Sequence, residues 1–175
     1  MKRMIEPLSA AGQILPALKK GVLLTVKENG FVNTMTIGWA TMGVEWGKPI
    51  FVGLVRGNRY TKPMLDRTGE FTVNIPVGEA DKEILRFCGT KSGRDGDKIK
   101  ELGLTLEEPE VISVPGIKEL PLTLECKVLY TQLQHPDCFT VESFGKYYPA
   151  VCEDIEQDYH TAYYAEIVSA YIIEE

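Results

Sequence analysis

The sequence has little with which to do side-chain chemistry. Two histidines, His135 and His160, serve 175 residues, and the four cysteines (Cys88, Cys126, Cys138 and Cys152) include no C-x-x-C pair. A structural zinc site is therefore not expected, and the cysteines read as free, reduced thiols. There is no H-E-x-x-H and no local motif for a cysteine or serine nucleophile. No G-x-G-x-x-G occurs, so nothing indicates a dinucleotide-binding βαβ unit. The loop Gly89–Gly96 fails as a P-loop, because Arg94 stands where a lysine is required and no strand directly precedes it. No apolar run approaches the ~20 residues of a membrane helix, and Met1–Pro7 lacks the apolar stretch of a signal peptide. Basic residues are outnumbered 19 to 25, for a formal charge of −6. That balance argues against nucleic acid or an anionic membrane as the main partner. A cytoplasmic location is the expectation.

What is present reads as one mainly β domain over 1–175, with short helices. Hydrophobic content of 44% and charged content of 25% are ordinary for a globular chain. An irregular arm through Pro7 and Pro16 leads into a strand at Gly21–Lys27. Asn29-Gly30 supplies a hairpin turn, because both residues tolerate positive φ. A long extended segment follows from Phe31, and Gly47-Lys48-Pro49 turns it into the apolar run Ile50–Val55, read as a covered central strand. Further expectations are a helix over Tyr60–Thr68 stopped by Gly69, a strand Glu70–Ile75, a helix Glu79–Cys88 ended by Gly89, and a short helix Asp97–Leu102. Residues Thr105–Glu119 read as irregular. Leu122–Tyr130 alternates as a strand with one wet face, carrying Thr123, Glu125 and Lys127. The acidic run Glu153, Asp154, Glu156, Asp158 reads as a solvated loop, and Thr161–Ile173 as a long final strand. Many strands without a βαβ rhythm indicate a β-barrel with helical insertions.

Two features suggest a ligand. The segment from Phe31 has bulky odd positions (Phe31, Met35, Ile37, Trp39) expected to face the core. Its small even positions (Thr34, Thr36, Gly38, Ala40) offer either a shelf for a flat ligand or a surface beneath a helix or another protomer. The second feature is Arg56-Gly-Asn-Arg-Tyr-Thr61 at a helix start, where free N–H groups and two guanidinium groups suit a phosphate. The alternative there is a solvated helix cap with the arginines paired to carboxylates such as Asp66. In the loop Gly89–Gly96, Lys91, Ser92 and Arg94 form an anion-binding loop or a merely exposed one. His160 is a weaker site candidate.

Taken in order, several short elements resemble the flavin reductase-like family of FMN-binding split barrels, especially its flavoredoxin-like branch. They are Asn33-Thr-Met-Thr-Ile-Gly-Trp39, Pro49-Ile-Phe-Val-Gly53, Arg56–Thr61, Glu70–Ile75, Ser92-Gly-Arg-Asp95 with Lys98, and His160–Val168. The resemblance implies a six-stranded antiparallel split β-barrel working as a homodimer with FMN near the subunit interface. It implies that Asn33, Thr34, Met35, Thr36 and Trp39 border the ring and ribityl chain. By the same carry-over Arg56, Asn58, Arg59 and Thr61 hold the phosphate, Phe87, Cys88 and Lys91 approach from the other side, and His160 lies near flavin or nicotinamide. The implied activity is oxidoreduction, with hydride from NADH or NADPH passed through FMN to free flavin or a protein acceptor. A flavoredoxin-type electron carrier without nucleotide activity, or a non-catalytic flavin-binding protein, are the rival expectations. Residues 134–160 depart from the simpler members.

Overall fold

A computed structural model describes residues 1–78, 81–140, 144–148 and 158–174. Its elements are β1 (Lys2–Met4), α1 (Ala11–Leu18), β2 (Val22–Glu28), β3 (Phe31–Ile37), β4 (Ala40–Glu45), β5 (Lys48–Arg56), α2 (Thr61–Thr68), β6 (Glu70–Ile75), α3 (Lys82–Thr90), α4 (Lys98–Glu101), β7 (Leu106–Glu107), β8 (Gly116–Ile117), β9 (Leu122–Leu133), α5 (Phe144–Tyr147) and β10 (His160–Ile173). The main sheet is antiparallel, in the order β3-β2-β6-β9-β10-β5-β4, with β1 added to β10; β7 and β8 form a separate pair. The class agrees with a split barrel, with more strands than the six expected.

The extended segment from Phe31 is not one strand. It breaks at Gly38 and Trp39, so that β3 lies at one edge of the sheet and β4 at the other. One short stretch of chain therefore bridges both edges and curls the sheet on itself, with Leu54 N–H donating to Trp39 O at 3.2 Å across the join. Two tight turns set the flanking registers. Asn29 (φ 49°) and Gly30 (φ 82°) place Glu28 opposite Phe31, and Trp46 (φ 51°) and Gly47 (φ 73°) place Glu45 opposite Lys48.

The barrel interior is filled by one face of each strand: Leu24 and Val26, Met35 and Ile37, Phe51 and Val55, Phe71 and Val73, Leu124 and Cys126, Tyr163 and Ala165. Trp39 does not join them. It is 41% exposed, because the chain leaves the sheet at Gly38 and the period-2 alternation stops with it. The opposite faces of β2, β3, β6 and β9 are also covered. Leu23 packs with Ile84, Leu85, Cys88, Ile117 and Leu120 beneath α3, while Thr25, Thr34, Asn74 and Thr123 hydrogen-bond to one another.

This second covering overturns the wet face expected for β9 at Thr123 and Glu125, while Lys127 is exposed as expected. Thr123 and Glu125 are fully buried, and the Glu125 carboxylate accepts the backbone N–H groups of Glu110, Val111 and Ile112 at 2.6, 2.8 and 3.2 Å. An acidic residue that looked solvated instead ties down the long 105–119 loop. Three smaller expectations also change. The N-terminal arm contains α1, in which Pro16 removes one helical bond while Ile14 and Leu18 anchor the helix in the core. The 105–119 segment carries the short strands β7 and β8. Finally, Gly89 lies inside α3 rather than ending it. A Cβ there would stand 3.4 Å from Thr36, an ordinary packing distance between helix and strand. Of the acidic run, only Asp158 lies among the described residues; the others fall outside them, as do Glu79 and Cys152.

Candidate functional site: a cationic cleft between β3, α2 and α3

Three elements converge on one cleft. The loop after β5 ends in α2, α3 lies across the outer face of β3, and the loop from Lys91 to Asp97 returns past the N-terminus of α2. Asp97 then caps α4 through the N–H groups of Ile99 and Lys100. The cleft holds a cavity of about 320 Å³ lined by Asn33, Met35, Thr36, Asn58–Thr61, Cys88–Arg94 and Lys98. Four of these residues are cationic (Arg59, Lys91, Arg94, Lys98) and none is acidic. In a chain of net charge −6, this concentration of positive charge is a local device.

The four cations are held differently. Arg94 lies over the Tyr60 ring and donates to Asn58 O at 3.2 Å. Lys98 is 4% exposed, with its ammonium donating to the carbonyls of Cys88 and Lys91 at 3.4 and 3.2 Å and no carboxylate as partner among the described residues. Burial lowers its pKa; Cys88 opposes this and Arg59 adds to it. Burial likewise pushes the Cys88 thiol up to about 11, against the pull of Lys98. Arg59 is exposed and makes no hydrogen bond or ion pair through its side chain among the described residues. The alternative of arginines paired to Asp66 is not what the structure has: Asp66 takes Lys62 at 2.8 Å and the Tyr163 hydroxyl at 2.5 Å. An arrangement of unpaired and buried cations is what a polyanionic group would stabilise.

Thr61 opens α2 with its hydroxyl buried, accepting from Asn33 Nδ2 at 2.8 Å. Gly93 makes this fit possible, since a Cβ there would collide with Asn33 and Tyr60.

A smaller cavity of about 190 Å³ shares Met35, Thr36 and Arg59 with the first and continues to Gly38, Trp39, Leu54, Arg56 and His160. His160 opens β10 directly opposite Arg56 on β5. Its ring lies 4.9 Å from Trp39, and its Nδ1 is 2.7 Å from the Tyr148 hydroxyl. Burial is the main cause that lowers its pKa to about 4; Arg56 and Arg59 act in the same direction, and Asp158 opposes them. His160 is thus neutral at ordinary pH. Arg56 donates to Tyr147 O at 2.9 Å and stands over the Tyr148 ring.

Of the residues expected from sequence, Asn33, Met35, Thr36, Asn58, Arg59, Thr61, Cys88 and Lys91 line the larger cavity. Trp39, Arg56 and His160 line the smaller one, so Arg56 is in a different cavity from the other phosphate candidates. Two line neither. Thr34 is fully buried, its hydroxyl bonded to Thr25 and to Leu24 O, and Phe87 contributes a carbonyl that accepts the N–H of Lys91. The small even face of β3 is covered by α3, with Thr36 Oγ1 donating to Leu85 O at 2.6 Å. Sequence reasoning did not single out Lys98 by itself, nor Tyr148 and Gln134 beside His160. A lysine after an Asp cap looks like any surface lysine, and only packing of α4 against β3 buries it.

Residues 19–175 match the family described as the flavin reductase like domain. The chain belongs to the flavin reductase-like family. Flavoredoxin from Methanosarcina acetivorans has 26% identity and a TM-score of 0.64, over 88% of this chain and 68% of that one. The FMN-binding domain of a flavin reductases-like enzyme from Shewanella baltica shares the fold at 16% identity and TM-score 0.64, over 98% of this chain and 77% of that one. An uncharacterized protein of Archaeoglobus fulgidus is 34% identical over 97 residues, which are 55% of this chain and 54% of that protein. The chain spans about half the length of the curated relatives it matches. Among the described residues, no helix of this flavin reductase-like protein is long and apolar enough to cross a membrane.

Proposed function

We propose that this protein binds FMN across these two adjacent cavities and acts as an oxidoreductase, taking electrons from NADH or NADPH and passing them to free flavin or a protein acceptor. The observation that carries the reading is the larger cavity, with four cations and no carboxylate among its described lining residues, beside a smaller cavity that shares Met35, Thr36 and Arg59 with it and is bordered by Trp39 and His160. FMN pairs a phosphate dianion with a flat ring, and the cleft offers one cavity suited to each. Arg59, Lys91, Arg94 and Lys98 hold the phosphate, with Thr61 and Asn33 fixing the start of α2 beside it. Met35, Thr36 and Trp39 border the ring. When bound, FMN supplies the two-electron chemistry that no side-chain motif of this chain offers. The residues around it bind, orient and exclude water, while neutral His160 leaves the smaller cavity without a further positive charge beside Arg56 and Arg59.

The implied homodimer belongs to the same reading. Val44, Trp46 and Leu133 are 62%, 69% and 61% exposed. A cavity lined by Val52, Leu54, Phe139, Ala162 and Tyr164 lies on the same β4-β5-β10-β9 side, apolar surface that a second copy would cover. The direct test is a visible spectrum of the purified protein with an FMN titration, followed by NADH and NADPH oxidation with FMN present. A flavin spectrum or saturable FMN quenching is expected, with turnover of one nucleotide. No FMN binding would remove the whole reading. Binding without turnover would leave the electron-carrier alternative, to which the flavoredoxin likeness lends support.

A further inference from the structure

Two helix ends of opposite sign meet at the larger cavity. On one side Tyr60 and Thr61 open α2; on the other Cys88, Gly89 and Thr90 close α3 and Lys91 follows as its C-cap. The start of a helix leaves N–H groups and a partial positive charge, and its end leaves carbonyls and a partial negative charge. The first attracts a phosphate and the second repels it. An anion cavity walled by the end of α3 therefore needs that end neutralised.

Four carbonyls at this end have partners among the described residues. Arg86 O accepts the Thr90 hydroxyl at 2.9 Å, and Phe87 O accepts the N–H of Lys91 at 2.9 Å. Cys88 O and Lys91 O accept instead from the Lys98 ammonium, which reaches them from α4 at 3.4 and 3.2 Å. The carboxylate next to Lys98 in sequence is directed elsewhere. Asp97 accepts the N–H groups of Ile99 and Lys100 at 3.1 and 3.2 Å and pairs with the Lys100 ammonium at 3.4 Å. The other groups that act on Lys98 are the Cys88 thiol from α3 and Arg59 from the loop before α2. A lysine only 4% exposed thus sits on the negative end of a helix to which it does not belong.

We propose that Lys98 is a positioning residue for the phosphate: by capping α3 from α4 it cancels the negative helix end at the cavity and pins the backbone of Lys91 beside the anion. Its share in holding the phosphate is exerted through α3 and Lys91. The inference rests on the FMN reading for what the anion belongs to, while the capping geometry stands without it.

The test uses the whole protein with three ligands. FMN and riboflavin binding are read by fluorescence quenching, and inorganic phosphate binding by the backbone amide shifts of residues 89–93. Lys98→Met keeps a long buried stem and removes the charge. FMN and phosphate should bind about 10- to 100-fold more weakly, the range of one charge-assisted hydrogen bond, and riboflavin should change by about twofold or less. Without any ligand, amide exchange at residues 89–92 should quicken by about tenfold or more as the helix end loses its cap. Lys91→Ala alone, at an exposed cation, should weaken FMN by about fivefold; in the Lys98→Met background its effect should fall below about twofold. Lys98→Gln, which keeps a donor without the charge and is the milder change to the fold, should show the same coupling in smaller measure. Additive losses from Lys91 and Lys98, unchanged amide exchange, or unchanged phosphate affinity would each overturn the inference. Phosphate binding that follows the expected pattern in a protein that does not bind FMN would instead remove the FMN reading and leave the cap in place.

Discussion

Arg59→Ala separates the phosphate half of the site from the ring half. Arg59, like Lys91, is a cation of the larger cavity that makes no hydrogen bond or ion pair through its side chain among the described residues, and it alone of the two also borders the smaller cavity. Its truncation therefore breaks no hydrogen bond or ion pair among the described residues. A charge-assisted hydrogen bond contributes about 1.5–3 kcal/mol, and each 1.4 kcal/mol is tenfold in Kd. Arg59 is exposed and its field is screened by salt, so the lower half of that range applies: about 10- to 30-fold weaker FMN binding. Riboflavin has the same ring and no phosphate, and its affinity should stay within about twofold. The assay is a pair of fluorescence-quenching titrations at two ionic strengths, in which the FMN difference should shrink as salt rises. Equal weakening of FMN and riboflavin, or no weakening of either, would refute the placement of the phosphate in this cavity. Unchanged thermal stability of the variant should accompany the result, because no hydrogen bond or ion pair among the described residues is lost.

Two further outcomes follow from buried groups. Glu125→Ala leaves three backbone N–H groups of the 105–119 loop without their acceptor; at about 1–3 kcal/mol for each buried unsatisfied donor, with partial rehydration, the loss should be about 3–5 kcal/mol, read as a lower denaturant midpoint. A cost below 1 kcal/mol would mean the loop does not depend on that carboxylate. His160 has a folded pKa of about 4 against 6.5 unfolded. The unfolded chain therefore gains a proton that the native state refuses, and stability is lost as pH falls from 6.5 to about 4. The loss should approach about 3 kcal/mol, and His160→Gln should flatten that limb of the stability–pH curve.

Local chemistry is written in the sequence where a single turn or cap decides the outcome. Asn29-Gly30 sets the β2–β3 register by itself, Gly69 ends α2 in the left-handed conformation, and Thr61 opens that helix where the sequence reading begins it, within one residue. These are short-range effects, governed by φ preferences and by unpaired N–H groups at a helix start. The ordered elements from Asn33 to Val168 likewise carry the family.

The tertiary structure decided what each face meets. Alternation in β3 and β9 says that two faces differ, but it left shelf and helix cover open for β3 and pointed to solvent for β9; α3 and the 105–119 loop cover them, so Thr34 and Glu125 are buried. Which edge a strand joins is also invisible locally: the break at Gly38–Trp39, which sends β4 to the far side of the sheet, is fixed by barrel closure. The site depends on the same long-range packing. Lys98 becomes a buried cation only because α4 folds against β3, and His160 is buried beside the Tyr148 hydroxyl only because the fold brings the two together. Burial and proton donors come from residues distant in sequence, and no local pattern encodes them.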